Sequence, residues 1–215
     1  MTKIKICGLT RPEDAALAAR LGAWALGVIF APESPRRVSL ERAVQVLEAG
    51  TKAAPGGAKR VGVFVNAGLN EIEEAVRACR LSAVQLHGEE APEFCAQVER
   101  RTGVAVIKAL PVFSEESVAG VVQFDTGFVL LDTYHPMRRG GTGEIFDWKL
   151  AAALPESIRT GRLILSGGLT PENVTAALLA VRPFAVDIAS GVESGPGVKD
   201  PQKIKKLFET IRNFH

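Results

Sequence analysis

The sequence lacks the features that mark several large classes of protein. It has only three cysteines, an odd number at no metal-ligand spacing, so we predict free thiols in a reducing compartment and no disulfide framework. No apolar run approaches the roughly 18 residues that a membrane span needs. The N-terminus also lacks the apolar stretch and the small-residue cleavage site of a signal peptide. We therefore expect a cytoplasmic protein with no membrane partner.

An excess of charge of one sign is missing as well. Lysine and arginine number 26 against 24 aspartates and glutamates, and the net charge is +2. The chain as a whole therefore does not attract nucleic acid, and any anionic ligand must be held by a local site. The three histidines lie far apart and match no HExxH or CxxC setting. We expect neither a nucleic-acid partner nor a structural metal.

The sequence does contain a repeated short apolar run, each copy of which is followed by a helical pattern. We predict eight strands: KIKIC (3–7), ALGVIF (25–30), RVGVFV (60–65), AVQLH (83–87), AVIKAL (105–110), FVLLD (128–132), RLILS (162–166) and AVDIA (185–189). Their continuous apolar character is typical of parallel strands that are covered on both faces.

Eight strand and helix units without a domain break predict a single (β/α)8 barrel domain over residues 1–215. A doubly wound open sheet is the alternative, because periodicity alone does not show closure. Against it, the fingerprint GxGxxG is missing after the first strand, and GPGVKD (195–200) follows the last strand and has only two of the glycines.

Four helix starts are suggested by local signals. Thr10 and Asn70, each followed three residues later by glutamate, fit capping boxes, in which two side chains satisfy backbone N–H groups. Pro171 and Pro201 fit the first helical position, where the missing proline donor costs nothing. Helices should therefore begin soon after the strands end.

Two reactive side chains follow predicted strands at the end where such a barrel keeps its chemistry. Alone, Cys7 would be assigned to core packing, and Asp132 to the capping of the next turn. In a closed ring, however, their strands are only three apart, so the two residues share one rim. A thiolate and a carboxylic acid that face each other across a cavity form a base and an acid.

Glycine-rich segments follow the predicted strands seven and eight. Gly167 and Gly168, with Ser190 and Gly191, offer backbone N–H groups without side-chain obstruction, an arrangement that binds phosphate. Either segment alone could be a simple turn. Together they favour a ligand with a phosphate monoester.

The strand ends carry motifs that resemble one family over residues 3 to about 206. These are KICGLT, SPRRV, QLHG, LLDT followed by GGTG, SGGLTPENV and VDIASGVESGPGVKD. They resemble the phosphoribosylanthranilate isomerases of tryptophan biosynthesis. The resemblance implies a (β/α)8 barrel that needs no cofactor and catalyses the Amadori rearrangement of N-(5-phosphoribosyl)anthranilate. It also implies that Cys7 is the general base and Asp132 the general acid.

The resemblance implies further substrate-binding residues. Arg36 matches an arginine near the anthranilate carboxylate, although Arg37 is a neighbouring alternative. Asp187 matches a carboxylate that positions the substrate, or it could form an ion pair at the rim. His87 is expected to support the rim by hydrogen bonds or to touch the substrate. A long loop could close over the ligand through Gly140, Gly141 and Gly143.

Some questions stay open at this stage. A thiol is mostly protonated at neutral pH, so Cys7 needs a source of positive potential. Lys5 is not expected to supply it, because it lies on the same side of the strand but deeper in the barrel. Rival functions are the related phosphoribosyl isomerase of histidine biosynthesis, which uses two aspartates, and a barrel that only binds a phosphorylated metabolite. A monomer and a homodimer are both compatible with the sequence.

Overall fold

Eight parallel strands close into a barrel in the computed structural model, which describes residues 1–133 and 146–214. The barrel strands are β1 Lys3–Ile6, β2 Ala25–Ile29, β3 Lys59–Phe64, β4 Ala83–Leu86, β5 Ala105–Val112, β6 Phe128–Thr133, β7 Leu163–Leu165 and β8 Ala185–Ile188. Each strand pairs with the next, and β1 closes the ring by pairing with β8. The predicted barrel is confirmed, and the open sheet is excluded by this closure.

Helices alternate with the strands around the outside. Those of the described residues are α1 Pro12–Arg20, α2 Leu40–Ala53, α3 Leu69–Cys79, α4 Pro92–Thr102, α5 Glu115–Ala119, α6 Trp148–Ala152, α7 Glu156–Gly161, α8 Val174–Val181 and α9 Pro201–Phe214. A short 3-10 helix, Ser190–Val192, and a hairpin of β9 Glu193–Gly195 with β10 Val198–Lys199 follow β8. This insertion lies at the C-terminal ends of the barrel strands.

The interior of the barrel is sealed at its other end. Trp24, Phe128 and Phe184 lie at or just before the starts of β2, β6 and β8, and their ring centroids are 5.2 to 5.3 Å apart. Small and branched side chains such as Ala25, Val61 and Ile164 form a buried layer with them. Because apolar groups fill this end, the buried polar side chains collect at the opposite mouth.

The two predicted capping boxes are wrong. α1 begins at Pro12, and the residue before it, Arg11, is extended, as proline requires of its predecessor. Thr10 therefore lies outside the helix, and its hydroxyl donates to the carbonyl of Gly197. α3 begins one residue before Asn70 and has no side-chain cap.

The two prolines have different outcomes. α9 begins at Pro201 as predicted, and the carboxylate of Asp200 accepts hydrogen bonds from the next free backbone N–H groups. Pro171 instead lies in a turn before α8. There the side chain of Asn173 accepts from the backbone N–H of Thr170, which competes with an earlier helix start.

Candidate active site

Cys7 lies directly after β1 at the mouth of the barrel. Its backbone N–H donates to the carbonyl of Ile188 at 2.9 Å, which extends the pairing of β1 with β8 by one residue. The side chain is 5% exposed. Gly27 on β2 faces it, and a Cβ atom there would lie 2.9 Å from the sulfur. The glycine therefore leaves the space that the thiol occupies.

Lys5 is fully buried. It lies on β1 two residues before Cys7, deeper in the barrel. Its Nζ donates to Oδ2 of Asp187 at 2.9 Å. Burial raises the pKa of Cys7, and the charge of Lys5 is the largest influence that opposes this rise. The sequence did not mark Lys5 as an obvious source of positive potential for Cys7, yet its charge opposes the rise in the pKa of the thiol.

The register of β1 against β8 places Asp187 opposite Lys5 inside the barrel. The ion pair that the sequence left as an alternative is therefore present. Oδ1 of Asp187 is buried, and no hydrogen-bond partner for it occurs among residues 1–133 and 146–214. This oxygen is an unused acceptor at the barrel mouth, so contact between Asp187 and a substrate stays a prediction.

Arg36 is held from the other side by a carboxylate of the β9 strand. Its Nε and Nη2 donate to the two oxygens of Glu193 at 2.9 and 2.8 Å, and Nζ of Lys199 donates to Glu193 at 2.8 Å. Burial favours the neutral acid, but Arg36 and Lys199 together hold the pKa of Glu193 below its usual range. Arg37 is exposed. Of the two arginines, Arg36 is thus the one that lies in the mouth.

Asp132 lies across the barrel mouth from Cys7 and is the second-last residue of β6. It is 5% exposed, and its Oδ1 accepts from the backbone N–H of Thr133 at 2.9 Å. Nε2 of His87 lies 3.3 Å from Oδ2 of Asp132, and Nδ1 of His87 lies 3.1 Å from the amide nitrogen of Gln85. Gln85 and Asp132 thus lie at the two ring nitrogens of His87 and fix the orientation of the ring. The sequence reasoning did not find Gln85, although it lies two residues before His87 on the same strand face.

The loop that carries His87 is fixed by a buried ion pair. Nζ of Lys108 donates to Oε2 of Glu90 at 2.7 Å and to the carbonyl of Gly88 at 2.7 Å. The other carboxylate oxygen of Glu90 accepts from the backbone N–H of Asn66 at 2.8 Å. Burial favours the neutral acid, but Lys108 holds the pKa of Glu90 below its usual range. The sequence reasoning missed Glu90 because its lysine partner is on another strand.

The two glycine segments lie side by side, as the strand order requires. Gly167 and Gly168 have φ of +88° and +61°, a conformation that residues with a side chain rarely adopt. A Cβ atom on Gly191 would collide with the carbonyl of Leu169, so this glycine is needed for the two segments to touch. The N–H groups of Gly167, Gly168, Ser190 and Gly191 donate to no backbone carbonyl within the described residues. They remain free to bind an anion, and phosphate binding stays a prediction.

Some of the remaining predictions concern residues that the structure does not describe. Gly140, Gly141 and Gly143, predicted for loop closure, lie outside the described residues. Within the ranges 1–133 and 146–214, no group of three or more histidine, cysteine, aspartate or glutamate side chains is arranged to hold a metal ion. In the same ranges, no helix is both long and apolar enough to cross a membrane.

A closed parallel barrel whose thiol, carboxyl group, arginine and free backbone N–H groups share the C-terminal ends of the strands has the layout of a (β/α)8 barrel enzyme. A sequence profile described as N-(5'phosphoribosyl)anthranilate (PRA) isomerase matches residues 4–210. The chain belongs to the phosphoribosylanthranilate isomerase family and is an enzyme.

Relatives match over their whole length. The N-(5'-phosphoribosyl)anthranilate isomerase of Citrifermentans bemidjiense is 45% identical over 100% of this chain and 98% of its own. The crystal structure of phosphoribosyl anthranilate isomerase from Thermotoga maritima has a TM-score of 0.87 and 40% identity, and covers 99% of this chain and 100% of its own. A further solved isomerase is in complex with reduced 1-(o-carboxyphenylamino)-1-deoxyribulose 5-phosphate, with a TM-score of 0.84, 39% identity, and coverage of 99% of this chain and 100% of its own.

Proposed function

We propose that the chain, as one catalytic domain, converts N-(5-phosphoribosyl)anthranilate to the 1-deoxyribulose 5-phosphate aminoketose in tryptophan biosynthesis. The observation that carries the proposal is the shared rim: Cys7 and Asp132 end strands that are three apart around the closed barrel, and the free N–H groups of the two glycine segments lie between them. A relative solved with the reduced product analogue supports this substrate class.

The proposed reaction needs one acid and one base. Asp132 delivers a proton to the ring oxygen of the ribose, the ring opens, and the resulting iminium ion makes the C2 proton acidic. Cys7 removes that proton as a thiolate, and the enolamine tautomerises to the ketone. His87 and the backbone N–H of Thr133 hold the carboxyl group of Asp132 from two sides, which fixes its direction. Both groups thus act from rigid strand ends.

The rest of the mouth is proposed to bind the two anionic ends of the substrate. The phosphate would accept hydrogen bonds from the N–H groups of Gly167, Gly168, Ser190 and Gly191. The anthranilate carboxylate would contact Arg36. Glu193 accepts from Nε and from one N–H of Nη2, so the two N–H groups of Nη1 and the second N–H of Nη2 are left for this contact. Asp187 would use its unpartnered Oδ1 toward the substrate.

Two broader expectations go with this function. We infer a cytoplasmic location, which the three free, buried cysteines support. We also infer a monomer or a homodimer. The Thermotoga maritima isomerase is described as dimeric and was also solved as generated monomers.

The deciding experiment follows the loss of phosphoribosylanthranilate fluorescence with the purified protein. We expect turnover of this substrate and none of the phosphoribosyl imidazole-carboxamide intermediate of histidine synthesis. Cys7→Ser should lower kcat by about 10² to 10⁴, the usual range for one acid or base, with a smaller change in KM. Cys95→Ser is the matched control, because Cys95 is equally buried but lies in α4. Normal turnover by Cys7→Ser would rule out the proposed base.

A further inference from the structure

The buried charges around Cys7 do not cancel. Six ionisable residues, none more than 8% exposed, share this side of the barrel mouth. We call them the Cys7 cluster: Cys7, Lys5, Asp187, Arg36, Glu193 and Lys199. Three of the side chains are cations and only two are carboxylates. Apart from the thiol, the cluster therefore carries a surplus of one positive charge.

Three other carboxylates of the described residues are buried, and none of them pairs with a cation of the cluster. Asp132 lies beside His87, whose Nε2 is 3.3 Å from its Oδ2. Asp14 accepts from the backbone N–H of Lys199 at 3.1 Å, but its charge is matched by Arg11 at 2.7 Å. Glu90 is matched by Lys108 on the other side of the barrel. The group within the cluster that can supply the missing negative charge is the thiol of Cys7.

We propose that Lys5 is a positioning residue for the proposed base: it stabilises the thiolate of Cys7 through the surplus positive charge of the cluster. Lys5 is the member that lies two residues before Cys7, on the same face of the chain, and donates to Asp187 at 2.9 Å. An unbalanced charge away from water is costly, so the surplus positive charge favours the thiolate and opposes the effect of burial, which raises the pKa of Cys7. This inference rests on the proposed role of Cys7.

The groups that act on the thiol come from four elements around it. Burial raises the pKa of Cys7. The charges of Lys5 and Lys199 lower this pKa, and the charge of Asp187 raises it. Arg36, from the segment after β2, also has a favourable charge interaction with the thiol. Removing one cation should therefore raise the pKa, and removing one carboxylate should lower it.

The test is the pH dependence of Cys7 alkylation by iodoacetamide, followed by mass spectrometry of the Cys7 peptide, since only the thiolate reacts. Lys5→Met leaves no surplus charge, and the apparent pKa of Cys7 should rise by about 1 to 3 units. Asp187→Asn doubles the surplus, and the pKa should fall. The double variant restores a surplus of one, and its profile should return toward that of the wild type. A purely structural effect would not produce this reversal.

Lys108→Met is the matched control, because Lys108 is a buried lysine paired with a glutamate on the other side of the barrel. It should leave the Cys7 profile unchanged. The proposal is overturned if Lys5→Met leaves the profile unchanged, or if Lys5→Met and Asp187→Asn move it in the same direction. If Lys5→Met does not fold, Asp187→Asn decides alone, and an unchanged or raised pKa overturns the proposal. Alkylation needs no turnover, so this failure is distinct from a failure of the proposed reaction.

Discussion

The barrel mouth has two walls, one around Cys7 and one around Asp132. Both bury charged side chains, but they differ in how those charges balance. The wall of Cys7 gathers charged side chains that do not balance, and it draws them from both ends of the chain. The wall of Asp132 contains the neutral pair Lys108–Glu90 and a chain of hydrogen bonds through His87. The proposed base is thus surrounded by net positive charge, whereas the proposed acid lies on the wall whose buried ion pair is neutral.

The largest expected effect removes the acid while leaving its wall in place. Asp132→Asn keeps the size and the acceptor toward Thr133 but cannot deliver a proton, so kcat should fall by about 10² to 10⁴. Substrate binding should survive, which steady-state kinetics with phosphoribosylanthranilate would measure. Asp125→Asn is the control, because Asp125 is exposed three residues before β6. If Asp132→Asn kept more than about a tenth of the wild-type kcat, on that same scale, Asp132 would be only a structural residue.

The next effect compares the two buried glutamates that anchor the walls. Glu90→Gln and Glu193→Gln each leave buried cations without a carboxylate, and each should lower the free energy of unfolding in urea by about 3 to 5 kcal/mol. Glu193→Gln should also raise KM more than Glu90→Gln, because it releases Arg36. The control is Glu48→Gln, which breaks a surface pair with Lys52 worth at most about 1 kcal/mol. Equal KM values for the two buried variants would contradict the proposed role of Arg36.

A third prediction concerns acid stability. The folded state lowers the pKa of both Glu90 and Glu193. The stabilisation is therefore complete above the unfolded value of about 4.3, and it is lost as the pH falls from there through the lower folded values. Melting temperatures between pH 7 and pH 3 should fall steeply below about pH 4 in the wild type. The variant with both glutamates replaced by glutamine should start lower and lose much less, and a parallel decline would refute the assignment.

The smallest effect concerns the orientation of His87. Gln85→Met removes the amide group beside Nδ1 while keeping the side-chain length. One hydrogen bond contributes about 0.5 to 1.5 kcal/mol, so kcat should fall by about 2- to 10-fold. The pH profile of Cys7 alkylation should not change, because Gln85 is on the other wall. Gln202→Met on the exposed start of α9 is the control. A Cys7 profile that moved with Gln85 would show that the walls are coupled.

The fold could be predicted because burial on both faces leaves a direct trace in the sequence. Each apolar run that we assigned to a strand overlaps a barrel strand, and the ends differ by at most two residues, the largest difference being in β5, which extends to Val112. The helix starts were less predictable, since Pro12 sets the start of α1 through the conformation of the residue before it. Local patterns therefore identify elements better than they identify the ends of elements.

The candidate site was only partly predictable for a different physical reason. Cys7 and Asp132 are visible because they interrupt apolar runs at strand ends. Their partners are not, because Lys5 meets Asp187 across 182 residues, and Arg36 meets Glu193 across 157. Such pairs follow from barrel closure and strand register, and a periodic pattern carries no information about either.

The pairing of β1 with β8 also sets an order of assembly during translation. Glu90 and Lys108 are 18 residues apart, so this buried pair of the Asp132 wall can form while the rest of the chain is still being made. The Cys7 cluster cannot be complete before Lys199 has left the ribosome. At about 5 to 20 residues per second, roughly 5 to 20 s separate the synthesis of Glu90 from that of Lys199. During that interval the Cys7 cluster lacks Lys199, so the environment of the proposed base is completed after the buried pair of Glu90 and Lys108.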